Sequence, residues 1–400
     1  MSRELHALMV DPSLFTAPYD AALTEGLLAS GTNPVWAGRP TRRGDRQEIP
    51  ADRVLPMFYR RVDQLQRAPA ALRTVLKGAA HLWGLLRLVA RVYTQRPDVV
   101  HFQWLVVPPL DLLAMRLIGR RAPVVLTVHD TVPFNGDRLS QMQTGALDLA
   151  LRTCDALIVH TAEARERLIA RGLHGDRIAV IPHGPLALHV PLPAPKPAAA
   201  EPPLRRFTLF GELKPYKGID VLLAAVASLS PDVRRRARFV VAGRPRMDLA
   251  PIQRQIAALG LDDVVELRAH RLSESEMAEL FAATDCFLFP YRQIDASGVY
   301  YLTKALGKWM IASRVGIFAE DLADGSRGTL VAPEAPEQLA SAIAKAIDVL
   351  PRPAPYAPEQ EWRNIGAATV RLYETTLARH KRTSRLTRPQ TGRAAAVAPE

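Results

Sequence analysis

The chain predicts an α/β protein of two doubly wound, Rossmann-like domains facing each other across a cleft. Three observations carry this. Short apolar runs alternate with amphipathic runs from residue 5 onward, the order that builds a parallel sheet. The alternation pauses at a proline- and alanine-rich stretch, VPLPAPKPAAAEPP (190–203), and then restarts. Two strands of the second half, in FTLFGELK and RFVVAGR, run into a glycine followed by basic residues. That layout brings backbone N–H groups and cations to the C-terminal edge of a sheet.

The elements follow in order. LHALMV (5–10) reads as a first strand, and a helix from about Asp20 to Ser30 ends at Gly31. Residues 64–95 read as a helix with an Arg/Lys face. A strand at Val99–Gln103 precedes a helix over 110–119, and APVVLTVHD is a strand ending near His129. Ala156–His160 is the next strand, AEARERLIARG a helix, and DRIAVIPHG a strand closing in a turn at His183–Gly184. After the linker come FTLF, a helix over 219–229, RFVVAG, a helix over 251–259, VVELR and a helix over 274–283. CFLFP, a helix over 299–306, WMIAS, TLVAP and a helix over 336–349 complete the second alternation, and a further helix covers about 359–379. The expected organisation is an N-terminal domain at 1–189, a linker at 190–204, a second domain at 205–355, a C-terminal helix at 356–380 and a disordered tail at 381–400.

At 400 residues the chain is long enough for two ordinary domains. Cys154 and Cys286 lie far apart in apolar runs, which suits buried thiols in a reducing cytoplasm rather than a disulfide framework or a metal site. The apolar part of MSRELHALMV is too short for a signal peptide, and no run reaches the roughly 18 apolar residues of a membrane span. The net charge of +12 favours an anionic partner, although an arginine-rich composition alone produces the same total. The basic residues are not interleaved with stacking aromatics and no recognition motif is present, so nucleic acid is not an expected partner.

The most informative stretch is FTLFGELKPYKGIDVLLAAVAS (207–228). Strand, glycine turn, lysine and helix start place cations and free N–H groups where an anion sits. Gly211, Leu213, Lys217 and Gly218 fit the pattern G-R-L-x-x-x-K-G, and the stretch resembles the opening of the C-terminal domain of glycosyltransferase family 4 (group 1) enzymes. The resemblance implies the GT-B fold over roughly residues 1–380, with the C-terminal helix crossing back onto the first domain. It also implies a nucleotide-sugar donor in the second domain and an acceptor in the first. Lys217 would hold and stabilise the leaving diphosphate, with Lys214 a weaker candidate. Glu212 stands where the family has an arginine; its carboxylate would repel a diphosphate unless Lys214, Arg244 or Arg292 neutralises it.

The second constellation is CFLFPYRQIDASGVYYLTKALGKWMIAS (286–313), where Pro290, Ser297–Gly298 and Gly307 reproduce a family layout. Amides near Ser297, Gly298 and Val299 are expected to face the phosphates. The family's Glu-x7-Glu motif is degenerate: its glutamates would fall near Ile294 and Leu302. Asp295 replaces the first, as a donor ligand or as a helix cap, and Thr303 or Lys304 the second. The run resembles more closely a PYR-x-I-x-x-SG layout found in part of the family. Gly211, Gly243, Arg244 and Arg292 complete the expected donor site, and the loop at His270–Arg271 is where the family meets the base.

In the N-terminal half, His129 ends a strand at the cleft, where family members carry a histidine that contacts the donor sugar. Asp130 is the alternative actor, as a base or an orienter of His129. Tyr19, Asp20, His101 and Gln103 are the expected acceptor-side residues. No Asp-x-Asp pair is present, so neither a metal nor a cofactor beyond the nucleotide sugar is expected.

Residues 60–96 carry eight arginines and lysines (Arg60, Arg61, Arg67, Arg73, Lys77, Arg87, Arg91, Arg96) against one acid, Asp63, with leucines, valines and Trp83 between them. A basic amphipathic helix of this kind suits an anionic membrane surface, and equally a helix packed on its own sheet with a solvated basic face. The expected function is transfer of a hexose to a glycan or lipid-linked acceptor, metal-independent and with retention, in polysaccharide or cell-envelope biosynthesis. The expected place is the cytoplasm, peripheral to the inner face of the membrane. The alternative is a glycosyltransferase-like subunit without catalysis that serves as a binding partner, motivated by Glu212 and the missing glutamates.

Overall fold

The structure is a computed structural model that describes residues 4–42, 45–60, 62, 69–131, 141–194 and 204–386. Residues 195–203 of the Pro/Ala linker, residues 132–140, the start of the expected 64–95 helix and the residues beyond 386 lie outside the described residues.

The first half holds strands β1 (Leu5–Val10), β2 (Thr32–Gly38), β3 (Val54–Pro56), β4 (Val99–Phe102), β5 (Val124–Thr127), β6 (Ala156–Val159) and β7 (Ile178–Val180). Its helices are α1 (Ala17–Ala29), α2 (Ala70–Gln95), α3 (Pro108–Ile118), α4 (Gln141–Thr153) and α5 (Ala162–Ala170). The strands form one parallel sheet in the order β3-β2-β1-β4-β5-β6-β7. β4, β5 and β6 are buried at every position, as expected of strands covered by helices on both faces.

The second half repeats the scheme with β8 (Arg205–Phe210), β9 (Ala237–Ala242), β10 (Val265–Arg268), β11 (Cys286–Phe289), β12 (Trp309–Ser313) and β13 (Gly328–Val331). Its helices are α6 (Ile219–Ser228), α7 (Pro231–Arg235), α8 (Ala250–Ala258), α9 (Glu274–Ala283), α10 (Gly298–Ala305), α11 (Gly316–Asp321), α12 (Pro336–Asp348) and α13 (Pro358–Leu386). This parallel sheet runs β10-β9-β8-β11-β12-β13. The two doubly wound sheets are the predicted fold class.

Strand order reverses between β1 and β4 in one sheet and between β8 and β11 in the other. Loops leaving neighbouring strands at such a point diverge and open a crevice. The crevices face each other, and this sets the position of the site.

Five elements, β2, β3, α4, α7 and α11, escape a reading of the sequence. β2 contains Asn33–Pro34 and ends in Gly38, which read as turn residues. β3 is a three-residue edge strand ending in Pro56, where a missing N–H costs no ladder bond. α4 begins at Gln141, next to residues outside the described set, and α7 and α11 are helices of five and six residues. Two boundaries need correction. α2 starts at Ala70 because Pro69 is extended and precedes the first helical residue. α13 continues through Leu386, so the segment expected to be a disordered tail from 381 begins as helix.

α13 lies against the first domain. Trp362 Nε1 donates to the Pro185 carbonyl at 2.8 Å, and the Tyr373 hydroxyl lies 2.6 Å from His101 Nδ1.

Candidate active site

A cleft of about 1640 Å³ lies between the two sheets. The loops after β1, β4 and β5 supply one wall, with Phe15, Trp104 and Asp130 on it. The loops after β8 and β11 supply the other, with Lys217 and Ser297 among its residues.

The second-domain wall depends on close backbone approach. Gly218 has φ +65°, and a Cβ there would lie 2.0 Å from the Pro290 carbonyl oxygen. Gly243 has φ +144°, and its Cβ would lie 1.9 Å from the Gly211 oxygen. With side chains excluded, β8, β9 and β11 end close together. Gly211 is closely packed as well: a Cβ on this residue would crowd Val299 Cγ2 at 3.0 Å and Lys217 Nζ at 3.1 Å, and both of those residues line the cleft. The lysine ammonium and the start of α10 thus converge on one spot. Ser297 caps α10 by accepting from Tyr300 N at 3.4 Å, and Gly298 and Val299 follow in its first turn. The free amides of a helix start and a lysine form an anion cradle.

Lys217 is 3% exposed. Its Nζ donates to the Phe210 carbonyl at 3.2 Å and to the Tyr291 hydroxyl, and lies 4.4 Å from the Tyr291 ring centroid. Burial pushes its pKa down to about 7, against a smaller upward pull from Glu212.

Glu212 lines the cleft and is neutralised. Arg246 Nε donates to Glu212 Oε1 at 2.8 Å, and Lys214 Nζ lies 3.6 Å from Oε2. Burial acts to raise the Glu212 pKa, but Arg246 and then Lys214 outweigh it and hold the carboxyl below its usual range. Of the three expected partners only Lys214 serves. Arg244 is exposed and is not part of the cleft lining. Arg292 lines the cleft, but its guanidinium braces Asp220 at 2.7 Å, Glu334 at 2.9 Å and the Pro215 carbonyl at 2.9 Å. Arg246 lies three residues beyond the Gly243 turn and belongs to no motif. The chain turns back instead, with Arg246 N bonded to the Leu213 carbonyl at 2.9 Å.

Asp295 is buried and does not line the cleft; its carboxylate is bound by Thr131 and Arg167. The expected stand-ins for the second family glutamate also face elsewhere. Thr303 Oγ1 donates to the Tyr300 carbonyl at 2.9 Å, and Lys304 Nζ pairs with Asp321 at 2.7 Å. His270 is exposed beside Glu276 at the start of α9.

On the first-domain wall His129 is 8% exposed, and both its ring nitrogens meet protein groups. Nε2 lies 3.1 Å from Gln103 Oε1 and Nδ1 3.2 Å from His160 Nε2, while the ring stacks on Trp104 at 4.8 Å. Burial, followed by His160, His183 and His101, holds its pKa well below the ordinary value, so the ring is neutral. Asp130 lines the cleft, and its pKa is pushed up to about 7 by burial and then by Asp295, against Lys214.

Of the expected acceptor residues, only Gln103 lines the cleft. Tyr19 is buried among His129, His160, His183 and Trp362. Asp20 is fully buried, and burial and the neighbouring Asp11 hold it protonated well above its usual pKa. His101 is wedged between Tyr373 and Thr127. The wall instead presents Phe15, Trp104, Leu105, Val106 and Pro108. These apolar residues carried no motif.

Comparison with known proteins matches this geometry. A family profile described as Glycosyltransferase Family 4 matches residues 1–184, and one described as Glycosyl transferases group 1 matches residues 205–348. The chain belongs to the family 4, group 1 glycosyltransferases.

This family 4 member is 30% identical over 250 residues to D-inositol 3-phosphate glycosyltransferase 2 of Catenulispora acidiphila, covering 58% of each chain. It is 27% identical over 365 residues to the D-inositol 3-phosphate glycosyltransferase of Streptomyces griseus subsp. griseus, covering 80% of this chain and 74% of that one. The match thus spans less than two thirds of the first relative and more of the second. Among solved structures, Anabaena Alr3699/HepE in complex with UDP-glucose superposes with a TM-score of 0.60 at 17% identity, over 95% of this chain and 99% of that one. The catalytic domain of Arabidopsis thaliana starch synthase IV, bound to ADP and acarbose, superposes at 0.63 with 13% identity, over 94% and 100%. At these identities the likeness concerns the shared GT-B fold.

Proposed function

We propose that this protein transfers a hexose from a nucleoside-diphosphate sugar to an acceptor hydroxyl, with the donor on the β8/β11 side of the cleft. The observation that carries the reading is that Lys217 and the α10 start at Ser297–Val299 converge beside Gly211 and line the same stretch of the cleft. A diphosphate there would meet a buried cation and two or three helix amides. As the sugar–phosphate bond breaks, charge grows on the leaving oxygen, and these preoriented donors stabilise it without reorganisation. Arg246 and Lys214 keep Glu212 from opposing that charge.

The acceptor lies against Phe15, Trp104 and Asp130. Asp130, with a pKa near 7, holds or takes the proton of the attacking hydroxyl. His129, neutral and bound on both nitrogens, orients the wall rather than titrating. The family resemblance supports retention of configuration and catalysis by side chains and helix amides without a metal. Polysaccharide or cell-envelope assembly is the proposed setting.

No helix among the described residues is long and apolar enough to cross a membrane. α2 nevertheless has two apolar faces. Leu85, Leu88 and Val92 pack into the domain, while Leu72, Val75, Leu82, Trp83 and Leu86 are exposed, Trp83 by 64%. Val75 and Leu82 lie seven residues apart and Leu82 and Leu86 four, so the exposed set falls along one side of the helix, and α2 carries no acidic residue against Arg73, Lys77, Arg87 and Arg91. This favours peripheral attachment to an anionic membrane surface on the cytoplasmic side, which would place the cleft near a lipid-linked acceptor.

The deciding experiment is calorimetric titration of UDP, GDP, ADP and TDP, with and without magnesium, against wild type and Lys217→Ala. Metal-independent binding of one nucleotide that the variant loses supports the reading. Binding of none of them defeats it and favours a non-catalytic subunit.

A further inference from the structure

Asp295 sits in the donor-side loop between Ile294 and Ala296, both of which line the cleft, yet its side chain reaches the other domain. Oδ2 accepts from the backbone N–H and the hydroxyl of Thr131, each at 2.5 Å, and Oδ1 accepts from Arg167 Nη1. Arg167 Nη1 also donates to the Thr131 hydroxyl at 3.0 Å, and Arg171 Nη1 donates to the Thr131 carbonyl at 3.2 Å. Both peptide groups flanking Thr131 are therefore held.

The contact is reinforced beside it. Arg167 Nη2 pairs with Glu163 at 2.8 Å, and the other Glu163 oxygen accepts from Gly316 N of the second domain at 3.1 Å. Glu163 N donates to Glu320 Oε1 at 3.1 Å, and the Asp295 carbonyl accepts from Ile317 N at 3.1 Å. A carboxylate that is 5% exposed and receives three donors has its burial compensated, with both oxygens engaged by the other domain and neither on the cleft lining.

We propose that Asp295 is a positioning residue, a clasp between the domains that holds Asp130 at a set separation from the Ser297–Val299 amides. The inference rests on the proposed function in one respect, that Asp130 and those amides face the same reaction. Asp295 is adjacent to the amide-bearing segment on one side and bonded to the residue after Asp130 on the other. Asp295 thereby joins the two cleft-lining segments directly, with the Glu163 bonds to Gly316 and Glu320 beside it.

The test uses the full chain with Thr131→Val, Asp295→Ala and the double variant. Distances between spin labels on the two domains report the clasp, calorimetry reports UDP and UDP-glucose binding, and transfer assays separate kcat from KM. GDP and GDP-mannose replace the uridine probes if those do not bind. Asp295→Ala and the double variant should broaden the interdomain distances alike and lower kcat by about 100-fold without adding up, and Thr131→Val, which removes one of the three donors, should shift both in the same direction by less. UDP and UDP-glucose should weaken by the same factor. Unchanged interdomain distances in Asp295→Ala, or weakened UDP-glucose with UDP spared, would overturn the proposal, the second marking a sugar ligand. If no nucleotide binds the wild type, the functional reading fails, while the label distances still decide the clasp. Thr131→Val removes one hydroxyl and guards against misfolding of the Asp295 variant.

Discussion

Lys217 rests on Tyr291: its ammonium donates to the phenol oxygen and lies 4.4 Å from the ring centroid. Without an anion the charge of this lysine is costly, which is why its pKa falls to about 7. A bound diphosphate supplies the missing countercharge and raises the pKa again. Binding at pH 8 should therefore take up a proton, seen as a binding enthalpy that changes with the ionisation enthalpy of the buffer. By linkage, affinity is greatest below pH 7, where the lysine is already charged, and weakens by up to about tenfold per pH unit above it. Lys217→Ala should show neither effect.

Asp130 carries the opposite pH sign. With its pKa raised to about 7 it is protonated below that pH and ionised above it. If it accepts the acceptor proton, kcat rises with pH through about 7 and then levels. Asp130→Asn should abolish this limb and lower kcat by about 100-fold or more, with nucleotide affinity little changed. Measurement of kcat from pH 5.5 to 9 checks both.

Arg246 is expected to matter only through Glu212. Arg246→Ala leaves the carboxylate with Lys214 alone, and nucleotide affinity should fall about tenfold, as expected for loss of a charge-assisted hydrogen bond. Glu212→Ala in that background should restore much of the affinity. Calorimetry on the two single variants and the double closes the cycle, and additive losses would refute the coupling.

Gly218 tests the backbone of the donor wall. Alanine there must adopt φ +65° and place Cβ 2.0 Å from the Pro290 oxygen. Gly218→Ala should cost about 1–3 kcal/mol of stability, read from denaturant unfolding, and weaken nucleotide binding as the loop shifts. Gly260→Ala, also at positive φ but with open space around its Cβ, should cost less.

The exposed face of α2 makes a separate prediction. Flotation with vesicles containing anionic lipid should retain the wild-type protein, and neutral vesicles should not. Leu82→Ser/Trp83→Ser should abolish retention while leaving the melting temperature close to wild type, because both side chains face solvent.

The sequence by itself determined the two doubly wound sheets and the donor-side wall. Both are local in origin. A buried parallel strand must be a short apolar run, and a strand–glycine–lysine–helix unit such as 207–228 carries its geometry within consecutive residues. Tertiary structure alone decided what the charged residues do. Asp295 reads as a donor ligand or a cap until the other domain brings Thr131 and Arg167 to it from more than 120 positions away. Glu212 reads as repulsive until Arg246 folds back onto it, and Tyr19, Asp20 and His101 read as acceptor contacts until α1 and α13 bury them. Charges and hydrogen bonds act over a few ångströms of space, and separation along the chain does not measure those.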